Sequence, residues 1–229
     1  MNGKHIILGV TGGIAVYKAA DLCSKLVSAG FDVRVVMTAN ATTETGQSTL
    51  MNGKHIILGV TGGIAVYKAA DLCSKLVSAG CEVRVVMTRN ALQLISSQIF
   101  LTLSKNRVLT DLFAEYQPRP EHVDWAEWAD ALVVAPCTAN FIGKFASGIA
   151  DDALTTTALA FRGPVLLAPA MNEHMWASPI VQDNLAKLVD KLGIRTVGPD
   201  TGHLACGTSG RGRRAEPADI LEAVRAIFA

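Results

Sequence analysis

The sequence has almost no net charge: 21 Lys and Arg stand against 20 Asp and Glu, leaving +1 over 229 residues. So balanced a chain gives no global electrostatic reason to expect nucleic acid or an anionic membrane as partner. It also lacks any apolar run near the roughly 20 residues of a membrane span. Its start shows no signal-peptide cleavage pattern, and the apolar run Ile6–Val10 is of strand length. The five cysteines, at 23, 73, 81, 137 and 206, have neither metal-ligand spacing nor a disulfide framework. That fits a reducing cytoplasm and leads us to expect no metal site. A nicotinamide fingerprint is missing too. The Gly-rich turn reads GVTGGIAVYK (59–68) and not GxGxxG, and the next strand ends in Met87-Thr88 where an acidic residue would hold the ribose.

What the chain does have is apolar content and a repeat. Half of its residues are hydrophobic, enough for a sizeable core in one domain, or in one domain with an extra piece. Residues 1–41 recur as 51–91 with three differences, Phe31/Cys81, Asp32/Glu82 and Ala39/Arg89, and Met1 recurs as Met51. An internal Met has no structural motive there, so the repeat reads as a duplication from the unit's own start, recent or engineered. It is no solenoid, which needs three or more diverged repeats. After the first copy comes ATTETGQSTL, a polar linker; after the second, ALQLISSQIFLTLSKNRVLTDLF has helical apolar spacing. The working domain is therefore expected at 51–229, with 1–50 a redundant βαβ fragment plus linker. Such a fragment cannot bury both faces of two strands. It should dock at a sheet edge, stay partly disordered, or compete with the second copy.

Within 51–229, strand-like runs at 55–60, 83–87, 131–135, 164–168 and 194–197 alternate with helical spacing near 65–79, 92–103, 139–160, 178–191 and 217–228. The alternation predicts an α/β fold, a Rossmann-like or flavodoxin-like doubly wound parallel sheet in three layers. Gly80 and Gly193 read as helix C-caps. The loops after 60, 87, 135 and 168 should share the carboxyl edge of the sheet, where such folds place ligands.

Those loops hold the unusual residues. Gly62 and Gly63 permit close backbone approach, and a helix start behind them attracts phosphate, although tight helix–sheet packing explains such a turn equally well. In PCTANFIGK (136–144), Thr138, Ala139 and Asn140 offer a hydroxyl, amides and helix-start N–H groups, or simply an N-cap. Within EHVDWAEWADALVVAP (121–136), His122 is of a type suited to proton transfer; the plain alternative is a surface His at a helix start. In PAMNEHMW (169–176), Asn172 either caps the next helix or holds a carboxylate without adding charge. LACGTSGRGRRAEP (204–217) is too glycine-rich for core; Cys206 could donate a proton there, and Arg211 and Arg213 could grip a phosphate or be merely solvated.

In this order, the EHVDWAEWAD, PAMNEHMW and ACGTSGRGRRAEP strings resemble those of the flavin-dependent cysteine decarboxylases, over about residues 51–229. The likeness is greatest to those acting on 4'-phosphopantothenoylcysteine in coenzyme A biosynthesis. The resemblance implies flavin mononucleotide (FMN) as cofactor, held by Gly62, Gly63, Ile64, Thr88, Thr138, Ala139, Asn140 and Met171. It implies that His122 is the base or orienting residue near the substrate carboxylate and thiol, and that Asn172 orients that carboxylate. Cys206, on a lid, would return a proton, and Arg211 and Arg213 would hold the substrate phosphate. The resemblance further implies that oxidised flavin would accept a hydride from the cysteine Cβ, and that the resulting thioaldehyde would let carbon dioxide leave to give an enethiol. The reduced flavin would then return the hydride while Cys206 supplies the proton, giving 4'-phosphopantetheine. Family members form homotrimers with the flavin at a subunit interface, and bacterial ones often dodecamers. Many continue into a synthetase domain; this chain, stopping one helix after AEP, would be a stand-alone decarboxylase or part of a bifunctional protein.

The chain departs from the family at Cys137-Thr138, where PASAN is common, and at Arg214, where Met is common. Three rivals share the likeness. Flavin prenyltransferases share the fold and FMN site, but the intact Asn and Cys strings belong to the decarboxylase side. Peptidyl-cysteine decarboxylases share the Asn segment and typically lack the lid Cys. Regulatory subunits that bind a protein phosphatase would lose an active-site residue or carry a long acidic tail.

Overall fold

The computed structural model describes residues 5–10, 26, 31–37, 50–113, 119–198, 200–203, 209–213 and 215–229; at 5–10, 32, 34–37, 200–203 and 209–213 it describes the backbone alone. The chain divides into two compact units, Met1–Leu50 and Met51–Ala229. In the first, β1 (His5–Val10) and β2 (Asp32–Met37) pair in parallel, with His5 opposite Asp32 and Val10 opposite Met37. They make a two-stranded sheet of their own. In the second unit β3 (His55–Val60) and β4 (Glu82–Met87) repeat that register position for position, and this pair belongs to a six-stranded sheet. Near-identical sequence makes the same strand pair twice, and the second copy supplies the larger sheet.

The six strands run parallel in the order β5-β4-β3-β6-β7-β8, with β5 at Val108–Leu109, β6 at Ala131–Cys137, β7 at Val165–Pro169 and β8 at Arg195–Thr196. Strand periodicity divides the core in two. Ile56, Leu58 and Val60 of β3, with Val133 of β6 and Leu166 of β7, meet the helices Tyr67–Ser78, Ser97–Ser104 and Pro217–Phe228. Ile57, Leu132, Val134 and Leu167 meet the helices Glu121–Trp128, Ala139–Ala146, Ala153–Ala160 and Pro179–Leu192 on the other face. That makes three layers, and β6, buried along its whole length, has no polar face. Each such aliphatic side chain contributes about 1.5–3 kcal/mol by leaving water. Helix Tyr67–Ser78 shows the matching pattern, burying Ala69, Leu72, Cys73 and Leu76 at spacings of three and four.

The fold class and the five strands agree with the sequence reading, and Gly80 and Gly193 take the left-handed conformation of helix ends (φ +89° and +63°). Four details differ. The stretch 91–113, read with helical spacing and a helix near 92–103, holds two helices, Arg89–Leu92 and Ser97–Ser104, the second capped by Ser96, and then the short strand β5. The helical stretch read at 139–160 is two helices: Gly148 turns at φ +69°, and Asp152 caps the second through Thr155 N–H at 2.8 Å. Helices at Glu121–Trp128 and, briefly, Glu173–Trp176 stand outside the helical stretches read from spacing, at the helix starts that were the plain alternatives for His122 and Asn172. The glycine-rich stretch expected to be loop contains antiparallel β9 (Asp200–His203) and β10 (Ser209–Arg213).

Candidate functional site

The chain runs from β3 outward through β4 to β5, then returns to place β6 on the other side of β3. This reversal opens a crevice at the carboxyl ends of β3 and β6, the usual ligand position in doubly wound sheets. A cavity of about 340 Å³ lies there, lined by Thr61 and Gly62 after β3, by Thr88, Arg89 and Asn90 after β4, and by Thr138, Asn140, Phe141 and Lys144 after β6; Asp152, Thr155 and Met175 complete it. That volume is at the lower end of small-molecule sites, roughly 300–1,000 Å³.

Local sequence explains each wall. Gly62 is obligatory, because a Cβ there would lie 2.4 Å from Asn90 Cβ and 2.9 Å from the Asn90 carbonyl carbon. Thr88 caps the next turn, its Oγ1 accepting from Ala91 N–H at 3.3 Å, which leaves its own proton to donate. Thr138 is the N-cap residue of Ala139–Ala146 but makes no side-chain cap bond. Lys144 Nζ donates to both oxygens of Asp151, at 2.7 and 2.8 Å, and that pairing raises its pKa. Arg89 makes no ion pair or hydrogen bond among the described residues. The one carboxylate of the lining, Asp152, is engaged by Thr155 N–H at 2.8 Å and by Lys144 at 3.7 Å. Free donors on Thr88, Thr138, Asn90, Asn140 and Arg89, beside the apolar Phe141 and Met175, suit a phosphorylated ligand with a flat apolar portion.

Of the residues expected to bind cofactor, Gly62, Thr88, Thr138 and Asn140 line this cavity. Gly63 and Ala139 adjoin them in the same two loops, while the Ile64 side chain is 70% exposed. Met171 packs, half-buried, against the apolar cluster of Leu167 and Phe141, and Met175, one turn on, takes the place at the cavity that was read for Met171. Asn172 caps Glu173–Trp176, its Oδ1 accepting from His174 N–H at 2.8 Å, so the plain reading of that residue holds whatever else it does. The backbone of β10, with Arg211 and Arg213, passes beside this short helix. Cys206 and Arg214 lie outside the described residues. His122 is the second residue of Glu121–Trp128, half-buried, and it does not line the cavity. Sequence reasoning missed Thr61, Arg89, Asn90, Phe141, Lys144, Asp152, Thr155 and Met175; Thr61, Arg89 and Asn90 adjoin the residues that were read and were readable from those positions.

The sequence pattern of flavoproteins matches residues 1–45 and again residues 44–229. The chain belongs to the flavoprotein family. It is 49% identical over 230 residues, all of this chain, to the coenzyme A biosynthesis bifunctional protein CoaBC of Bacillus subtilis (strain 168), and 42% identical over 232 residues to that of Haemophilus influenzae. The chain spans 44% of the length of each of these relatives. Among solved structures, a PPC decarboxylase mutant complexed with pantothenoylaminoethenethiol superposes with a TM-score of 0.70 at 32% identity, covering 77% of this chain and 99% of that one. The FMN-dependent cysteine decarboxylase SpaF gives 0.67 at 31% identity, covering 78% and 97%.

Proposed function

We propose that this flavoprotein is an FMN-dependent decarboxylase converting 4'-phosphopantothenoylcysteine to 4'-phosphopantetheine, with residues 51–229 as the working domain and 1–50 a redundant copy. The observation that carries the reading is the convergence of three separate loops on one cavity: Gly62 after β3, Thr88 after β4, and Thr138 and Asn140 after β6, the positions matched to the family's FMN site, meet around it. The cavity's donors and its apolar side suit FMN. When bound, oxidised FMN would supply the hydride-accepting chemistry that loss of carbon dioxide from a cysteine carboxylate requires.

The chain's own residues would do the rest. Gly62 lets the backbone approach, and Thr88, Thr138, Asn140 and Arg89 hold the phosphorylated end. Asn172 orients the substrate carboxylate, Arg211 and Arg213 of β10 hold its phosphate, His122 takes up the thiol proton and Cys206 returns one to carbon. His122 does not line the cavity of its own chain; a homo-oligomeric site, as in the family's trimers or tetramers of trimers, would let a second chain supply that residue. No helix among the described residues is long and apolar enough to cross a membrane. A cytoplasmic setting rests on the chemistry proposed. The flavin prenyltransferase, peptidyl-cysteine and regulatory readings have no observation of their own in this cavity.

The test is mass spectrometry of 4'-phosphopantothenoylcysteine incubated with purified protein and FMN. Appearance of 4'-phosphopantetheine, from the full chain and from 51–229 alone, is expected. Unchanged substrate with a flavin-loaded protein would overturn the substrate, and a protein that holds no flavin would overturn the cofactor.

A further inference from the structure

One buried hydroxyl joins the two main walls of the cavity. Thr61, the first residue after β3, is 2% exposed. Its Oγ1 donates to Pro136 O at 2.7 Å and accepts from Thr138 N–H at 3.1 Å. Backbone pairing between β3 and β6 ends below this point, at Gly59 opposite Val134. The register of β6 against β7 also shifts between Val134 and Cys137. Pro136 brings no N–H to this stretch. The Thr61 hydroxyl, donor and acceptor at once, satisfies the Pro136 carbonyl and the Thr138 amide together, two groups that would otherwise be left unpaired in a buried place. The bond therefore stands in for the missing rungs where the two strands part to form the crevice.

We propose that Thr61 is the positioning residue of the cavity: its hydroxyl fixes the distance between the Gly62–Gly63 turn and the Thr138–Asn140 helix start, and so sets the affinity for FMN. This rests on the cofactor reading above. The geometry separates two roles for threonine. Its methyl packs at the strand end, as that of Val would, while the hydroxyl alone makes both bonds. Thr61→Val keeps the shape and removes the link, whereas Thr61→Ser keeps the link.

The experiment is titration of FMN by flavin fluorescence into cofactor-free wild-type protein and both variants, well below their melting temperatures, with hydrogen exchange of the 136–142 segment followed in parallel. Thr61→Val should bind FMN about tenfold or more weakly, because both hydrogen bonds of the hydroxyl are lost together, and the Thr138 amide should exchange faster. Thr61→Ser should stay within about threefold of wild type on both readouts, a difference of under 1 kcal/mol. Wild-type FMN affinity in Thr61→Val, or equal weakening in both variants, would overturn the proposal even if stability fell. Should Thr61→Val not fold, Thr61→Ser with wild-type affinity set against a folded Thr61→Ala with weak affinity makes the same decision. Wild-type protein that takes up no FMN would remove the cofactor reading, and the proposal with it.

Discussion

The Arg84 guanidinium lies over the Trp128 ring, its Cζ 4.0 Å from the centroid, and His55 stacks on the same indole at 4.5 Å and 17°. Arg84 also approaches Trp125 at 5.5 Å and Asp124 at 3.5 Å, and His55 Nδ1 is 3.1 Å from Trp128 O. These contacts fasten the helix Glu121–Trp128, which carries His122, to β3 and β4. Trp128→Leu loses the cation–π and stacking terms together and should lower the unfolding free energy by about 2 kcal/mol. Trp128→Phe should lose about half of that. Urea denaturation decides: a Trp128→Leu protein within about 0.5 kcal/mol of wild type would show that the helix is held by other contacts.

Gly62 and Gly63 are neighbours with opposite tolerance. A Cβ at Gly62 meets the Asn90 backbone, whereas one at Gly63 finds its nearest neighbour, Thr138 Cγ2, at 3.6 Å. Gly62→Ala should push the loop after β4 away, cost about 2 kcal/mol and leave the purified protein colourless. Gly63→Ala should fold and stay yellow. Absorbance near the flavin band and a thermal melt of each variant test the pair.

Burial pushes the thiol of Cys73 up to about 12 and that of Cys81 up to about 11, and raises Cys137 as well. A thiol held protonated in the folded chain, while its unfolded counterpart ionises from about pH 8.5, weakens folding as pH rises. Its contribution is whole below the unfolded value and is lost progressively through the range up to 11 and 12. At pH 8, iodoacetamide followed by peptide mapping should therefore leave Cys73, Cys81 and Cys137 unmodified. Labelling of any of the three in native protein at the rate of a denatured control would contradict their burial.

The parts of the fold readable from sequence are those where one rule dominates. β3, β6 and β7 are buried on both faces, so apolar runs without alternation marked them. The break in 139–160 was also written in the chain, as Gly148 followed by Asp152 and Thr155 at capping spacing, but the apolar period on either side masked it. In PAMNEHMW no linear rule says whether Met171 or Met175 faces the cavity. The Asn172 cap sets the phase of that short helix, and only the fold reveals it. His122 was legible as a chemical type, but its distance from the cavity depends on helix placement by Arg84 and Trp128, residues 44 positions apart in the sequence.

Arg89 distinguishes the two copies in sequence, since the first carries Ala39 at the matching position. It lines the cavity, whereas the other cation of the lining, Lys144, is held by Asp151. An anionic ligand should therefore lean on Arg89 through a charge-assisted bond worth about 1.5–3 kcal/mol. Arg89→Ala should weaken FMN binding about tenfold or more, without lowering the melting temperature of the cofactor-free protein. Riboflavin, which has no phosphate, should bind both proteins equally. Rising salt should narrow the FMN difference, because the residue is exposed and its charge is screened. Flavin fluorescence titrations with both ligands make the comparison: an equal loss for FMN and riboflavin, or none for either, would mean that Arg89 does not read the phosphate.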